Sequence, residues 1–183
     1  MVYVLLAEGF ELVEALAPVD ILRRAKVEVR TVGVTGKRVA ASNGVEVTAD
    51  LEIAQAETTG LDCVVLPGGL PGTLNLEKSQ EVQALVDACA KNGKLLAAIC
   101  AAPSILAHKG LLKGRNATAF PNFQKDVAEG GGILSENYVV QDGLFITGRG
   151  MGVSVQFGLK LAEALTSKET ADAIRAGIQF ETL

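Results

Sequence analysis

Cys100 follows the apolar run Leu95–Ile99 and precedes Ala101-Ala102-Pro103. A strand ending at Ile99 and a helix starting near Ala101 put its thiol on a strand-to-helix elbow, a turn that exposes a nucleophile at the top of a sheet. The free N–H groups and positive dipole end of that helix favour thiolate over thiol, and the thiolate is the reactive form. Pro103 suits the first helical turn, where its missing N–H costs nothing. The arrangement predicts a thiol pKa below the ordinary value of about 8.5. A second reading treats Cys100 as a small inert core residue, the usual state of free cysteine. Position alone leaves both open.

Glu14 adds weight to the first. On a helix its neighbours at −4, +3, +4 and +7 are Phe10, Ala17, Pro18 and Ile21, all apolar. A carboxyl in that setting has a raised pKa, stays protonated near neutrality and can donate a hydrogen bond to a thiolate or carry a proton. The alternative leaves its head in solvent. Glu11, in the same first turn, is explained by favourable charge placement. A third element is "LPGGLPG", where Gly68 and Gly69 follow an apolar strand. Glycines let the backbone approach a ligand closely, and their N–H groups, with that of Ala101, can hold an oxyanion. Alone, Pro-Gly-Gly is only a turn, and no Gly-Lys-Ser/Thr makes it a phosphate loop.

His108 is the only histidine. Eight residues beyond Cys100, it lies about 12 Å along a helix, out of hydrogen-bond reach. A Cys–His dyad therefore cannot form within one subunit, which speaks against a cysteine protease. Cys63 falls within a strand and Cys89 within a helix, neither with a helix N-terminus behind it.

Composition narrows the rest. The chain has 183 residues, a net charge of −4 and 49% hydrophobic residues, consistent with one domain over 1–183 that has a sizeable core. No basic patch suggests nucleic acid. Three cysteines, no CxxC and one histidine argue against a disulfide framework or a Cys/His metal site. The start "MVYVLLAEGF" lacks the features of a signal peptide, and Leu95–Ala107 is too short to span a bilayer. The expectation is a soluble cytoplasmic protein with free thiols and no membrane association.

The elements that must position these residues read as follows. Strands are expected at 2–7, 26–34, 62–69 and 94–100. Helices are expected at 11–25 (with Pro18 inside), 81–93 (stopped by Gly93), 102–110, 123–131, 153–166 and 168–178. Residues 44–50 suggest an edge hairpin, and "YVVQDGLFITG" a hairpin turning at Asp142-Gly143. Apolar strands alternating with helices imply an α/β fold: a flavodoxin-like, doubly wound, mainly parallel sheet with helices on both faces. Its sites form beyond the strand carboxyl ends, where "AEGFELVE", "LPGGLPG" and "ICAAP" all lie. Helix 11–25 carries Leu12, Leu16 and Val19 on one face and Val13, Ala17 and Ile21 on another, which predicts that one face seeks a second copy.

Together "GFELVEALAPVDILRRA", "DCVVLPGG", "AAICAAP" and "SENYVVQDGLFITGRGMG" resemble the ThiJ/PfpI superfamily, in its DJ-one-like branch. The resemblance implies a flavodoxin-like homodimer. It makes Cys100 the reactive nucleophile and Glu14 a protonated partner of its sulfur. Gly69 and Ala101, with Gly68 beside them, become backbone donors. Asp20, Arg24 and Arg149 become polar residues near the site or the dimer contact. The implied activity is that of a glyoxalase or deglycase needing neither cofactor nor metal, acting on small aldehydes such as methylglyoxal or on glycated substrates. The alternative is a non-enzymatic redox sensor or chaperone with an oxidisable cysteine. This chain departs from the pattern twice: Phe120 stands where several members have histidine, and Met151 where others have proline.

Overall fold

Every residue of β1 (Val2–Leu6) is buried, and its side chains divide between two cores. Val2, Val4 and Leu6 enter one, Tyr3 and Leu5 the other. Alternate residues of a strand face opposite sides of a sheet, so helices must cover both. The computed structural model describes residues 1–181, so the last two of the 1–183 span lie outside the described residues. After β1 come α1 (Leu12–Arg24), β2 (Val29–Gly33), β3 (Arg38–Ala40), β4 (Glu46–Thr48), β5 (Leu51–Glu52) and β6 (Cys63–Leu66). Next are α2 (Gly72–Lys78), α3 (Gln80–Lys91), β7 (Leu95–Ile99), α4 (Pro103–His108), β8 (Asn116–Ala117) and α5 (Gln124–Glu129). The chain continues through β9 (Ile133–Leu134), β10 (Val139–Asp142), β11 (Phe145–Gly148), α6 (Ser154–Leu165) and α7 (Lys168–Gly177).

The central sheet has the order β10-β11-β7-β6-β1-β2-β5. All its pairings are parallel except β10 with β11, which form the hairpin turning at Asp142-Gly143. This is the flavodoxin-like doubly wound α/β sandwich. From β1 the chain first winds outward through β2 and β5, then returns to the other side through β6 and β7. The order therefore reverses between β1 and β6, where the strand ends leave a crevice. No helix among the described residues is long and apolar enough to cross a membrane.

Three expectations need correction. The 44–50 hairpin exists, as β3 paired antiparallel with β4, but it is a separate two-stranded sheet rather than an edge of the central one. Only Val39 among its paired residues is buried, which is too little apolar surface to dock on the main sheet. Second, α2 had no counterpart in the sequence reading. Its apolar pattern is too short to show a period, and it is held instead by close backbone contact. A Cβ on Gly72 would stand 2.6 Å from the Phe10 nitrogen. Third, neither face of α1 is buried throughout, and Val19 on one and Ile21 on the other are both buried. Ile21, on the face with Val13 and Ala17, is 2% exposed. It packs within the chain against α6, where the missing side chain of Gly158 admits it: a Cβ there would lie 2.7 Å from Ile21 Cδ1 and 3.1 Å from Pro18 Cα. Val13 remains exposed on the same helix.

Candidate active site

The carboxyl ends of β1, β6 and β7 deliver three segments to the crevice. The first two are tied together by their backbones. Glu11 N–H donates to Gly68 O at 2.9 Å, and Gly72 N–H donates to Gly9 O at 3.2 Å. These bonds fix the start of α1, which carries Glu14, against the Gly68-Gly69 turn. Cys100 follows β7 and adopts φ 64°, the left-handed region that L-residues rarely occupy outside functional turns. The strained residue is held from both sides. Its N–H donates to Gly148 O at 2.9 Å, and its carbonyl accepts from Phe120 N–H at 2.8 Å. The helix α4 behind it starts at Pro103, slightly later than expected, with Pro103 in its first turn.

Glu14 is fully buried. Its Oε2 accepts from Gly68 N–H at 2.9 Å, while Oε1 has no hydrogen-bond partner among the described residues. Burial, opposed by the Cys100 side chain and the Gly68 N–H, raises its pKa to about 7. The Cys100 side chain interacts with that carboxyl and draws its pKa down. Gly68 lies between the two. A Cβ there would stand 2.6 Å from Glu14 Oε2 and 2.6 Å from Cys100 Cβ, so no other residue type fits without moving one of them.

The Cys100 thiol does not have the depressed pKa that the helix-terminus reading predicts. Burial pushes it up to about 12, helped by the Glu14 charge and the Glu14 hydrogen bond, and opposed by the Ala101 and Gly69 N–H groups. Helix dipole and backbone donors act in the expected direction, but desolvation outweighs them. Part of the upward push comes from an ionised Glu14 and disappears when Glu14 is protonated.

The structure therefore brings Cys100, Glu14, Gly68, Gly69 and Ala101 together. Gly69 and Ala101 N–H groups act on the sulfur, whereas the Gly68 N–H is engaged by Glu14. Asp20 and Arg24 lie elsewhere. They pair with each other at 2.8 Å on the exposed side of α1 and line a depression with residues 177–180. Arg149 follows the Gly148 carbonyl that holds Cys100. Its Nη2 donates to Ser135 O at 3.3 Å, and its guanidinium lies 4.5 Å from the Tyr138 ring centre. His108 sits away from the sulfur, with Nδ1 2.5 Å from Glu77 Oε1 and Nε2 3.7 Å from Asp126 Oδ1. Cys63 and Cys89 are buried, and burial raises both thiols, Cys89 to about 11. Sequence reasoning missed the Gly148 carbonyl and the Phe120 N–H as supports for Cys100. Both are long-range backbone contacts with no local signature.

A doubly wound sheet with a cysteine on the elbow of a central strand, backed by a buried carboxyl and a Gly-Gly turn, defines a class of cysteine-centred α/β proteins. The model of the DJ-1/PfpI family matches residues 1–164, and the chain belongs to that family, in its DJ-1-like branch. It is 37% identical to Protein dj-1beta of Drosophila melanogaster over 176 residues, covering 96% of this chain and 94% of that protein. The crystal structure of Drosophila melanogaster DJ-1beta superposes with a TM-score of 0.93 at 36% identity, covering 99% of this chain and 98% of that one. A Caenorhabditis elegans relative named glutathione-independent glyoxalase DJR-1.2 is 29% identical over 168 residues, covering 91% of this chain and 89% of that protein.

Proposed function

We propose that the protein is a cofactor-independent glyoxalase acting on small α-oxoaldehydes through Cys100. The observation that carries this reading is Glu14: fully buried, with a pKa of about 7, one oxygen held by Gly68 and the carboxyl in contact with the Cys100 side chain. Such a group holds or releases a proton near neutrality, as a general acid–base catalyst must. The Cys100 sulfur adds to the aldehyde carbon, and the carbonyl electron pair moves onto oxygen; the Gly69 and Ala101 N–H groups, which act on the sulfur, are the donors that stabilise it. The thiol proton completes a hemithioacetal. Glu14 then takes the proton from the former aldehyde carbon and returns one to the adjacent carbonyl carbon, through an enediol. The result is a thioester of a 2-hydroxy acid, and water cleaves it to the free acid and the thiol. No external oxidant or reductant is consumed.

The relative named as a glyoxalase supports this class of activity. We extend the reading to a cytoplasmic homodimer, with deglycation of adducts formed by the same aldehydes as a related reaction. Methylglyoxal consumption by wild type, Cys100→Ser and Glu14→Gln tests the assignment. Loss of turnover in both variants is expected. Equal rates in all three would overturn it.

A second reading is supported by the same donor set. A protonated Glu14 with the Gly69 and Ala101 N–H groups is suited to hold the oxygens of an oxidised Cys100, as a redox sensor requires. Partner binding that depends on peroxide treatment, with no aldehyde turnover, would favour it.

A further inference from the structure

We infer that a cavity beside Cys100 is an acyl-side subsite for the apolar, preferentially aryl, substituent of the α-oxoaldehyde; this rests on the glyoxalase reading above. The cavity measures about 530 Å³ and is lined by Phe120, Pro121, Tyr138, Met151 and Val153, with Arg149 as the one ionic side chain among its lining residues. The segments that carry Phe120 and Arg149 are tied to the Cys100 backbone. Phe120 N–H donates to Cys100 O, and Cys100 N–H donates to Gly148 O, one residue before Arg149. These bonds tie the cavity wall to the backbone that carries the sulfur.

Its chemistry is apolar. Phe120, Tyr138 and Met151 are 42%, 57% and 53% exposed, an unusual amount of large apolar surface around one opening. The Arg149 charge is already engaged by Ser135 O, the Tyr138 face and, at 3.8 Å, Glu136. It is poorly placed to demand an anionic ligand. In the proposed reaction the aldehyde carbon bonds to sulfur, so the substituent on the neighbouring carbonyl points away from Cys100. A methyl group leaves such a cavity largely unfilled. A phenyl group can meet the Phe120 and Tyr138 rings at edge or face and pack on the Met151 thioether. Even one methylene in an apolar pocket is worth about 10- to 200-fold in discrimination.

The test compares kcat/KM for phenylglyoxal and methylglyoxal in wild type, Phe120→Ala, Met151→Ala and Phe120→Leu. Wild type is expected to favour phenylglyoxal. The ratio should fall at least tenfold in the alanine variants and be partly retained in Phe120→Leu, which keeps apolar volume. An unchanged ratio in both alanine variants overturns the subsite. If wild type consumes neither aldehyde, the glyoxalase reading fails, and the cavity is judged by binding alone. Cys100→Ser is then titrated with mandelate and lactate, the hydroxy acids corresponding to the two aldehydes. Preferential mandelate binding that Phe120→Ala weakens supports the cavity, and equal binding overturns it. If Phe120→Ala turns a dimer into a monomer while the substrate ratio stays fixed, the face belongs to a second copy and the inference is overturned.

Discussion

Gly68 donates its N–H to Glu14 Oε2 at 2.9 Å, and a Cβ at Gly68 would stand 2.6 Å from that same oxygen. The residue that orients the carboxyl is thus also the one that leaves room for it. Because the Cβ would also meet Cys100 Cβ at 2.6 Å, the three residues form one tightly fitted unit.

Gly68→Ala should therefore separate Glu14 from Cys100 without removing either. Misplacing an acid–base group is expected to lower aldehyde turnover by about 10²–10⁴-fold. Overpacking at the site should also destabilise the fold by about 1–3 kcal/mol. Kinetics on material shown to be folded by circular dichroism, together with urea unfolding, checks both. Full activity in Gly68→Ala would mean that the Glu14–Cys100 juxtaposition is not used.

Stability should fall as pH rises through neutrality. The Glu14 carboxyl titrates at about 7 in the fold, against 4.5 for the free group. Between those values the native state keeps a proton that the unfolded chain has released, so unfolding becomes easier as pH increases. The stability is fully present below pH 4.5 and is lost as pH passes 7, by up to about 3 kcal/mol for this gap. His108, raised chiefly by its hydrogen bond to Glu77, acts in the same direction, its contribution present below 6.5 and lost above its folded pKa. The difference between wild type and Glu14→Gln isolates the carboxyl. Urea unfolding at pH 5, 6.5 and 8 should show the wild-type midpoint dropping more steeply than that of Glu14→Gln.

Much of this arrangement is legible in the sequence, and the legible part has a common physical basis. The strand before Cys100, Pro103 after it and the apolar neighbours of Glu14 are local patterns, and local patterns predict burial and elbow geometry well. Gly93 as the stop of α3, at φ 62°, is another. Direction of charge effects was also readable: the Ala101 and Gly69 N–H groups do favour the thiolate. Their size relative to burial was not, because desolvation depends on everything packed around the sulfur. The fate of Ile21 was illegible for a similar reason, since only Gly158, far along the chain, decides that α6 covers it. Asp20 and Arg24, which the resemblance puts near the site or the dimer contact, pair with each other on the exposed side of α1.

Cys100 should be the first of the three thiols to be alkylated. The reason is access rather than acidity: Cys63 and Cys89 are 0% and 1% exposed, while Cys100 is partly exposed. Brief iodoacetamide treatment followed by peptide mass spectrometry should find the label at Cys100, with the rate still climbing above pH 8 because burial raises its pKa to about 12. Earlier modification of Cys63 or Cys89 would contradict the burial pattern.

Glu14→Gln should move the two activities of Cys100 in opposite directions. The carboxylate raises the cysteine pKa by its charge and by its hydrogen bond, so a neutral amide should let the thiol ionise at lower pH. Alkylation at pH 8–9 should then be faster than in wild type, by severalfold. Aldehyde turnover requires more than a thiolate, because a proton must leave one carbon and reach the next, and an amide cannot carry it. Turnover should drop by about 10²–10⁴-fold, and the limb of the wild-type pH profile near 7, which reports deprotonation of Glu14, should vanish. His108 cannot substitute, since it is occupied with Glu77 and Asp126. Labelling and turnover measured on the same Glu14→Gln preparation separate a proton carrier from a structural carboxyl. Faster alkylation with slower turnover assigns the first role, whereas wild-type turnover would leave Glu14 only the second.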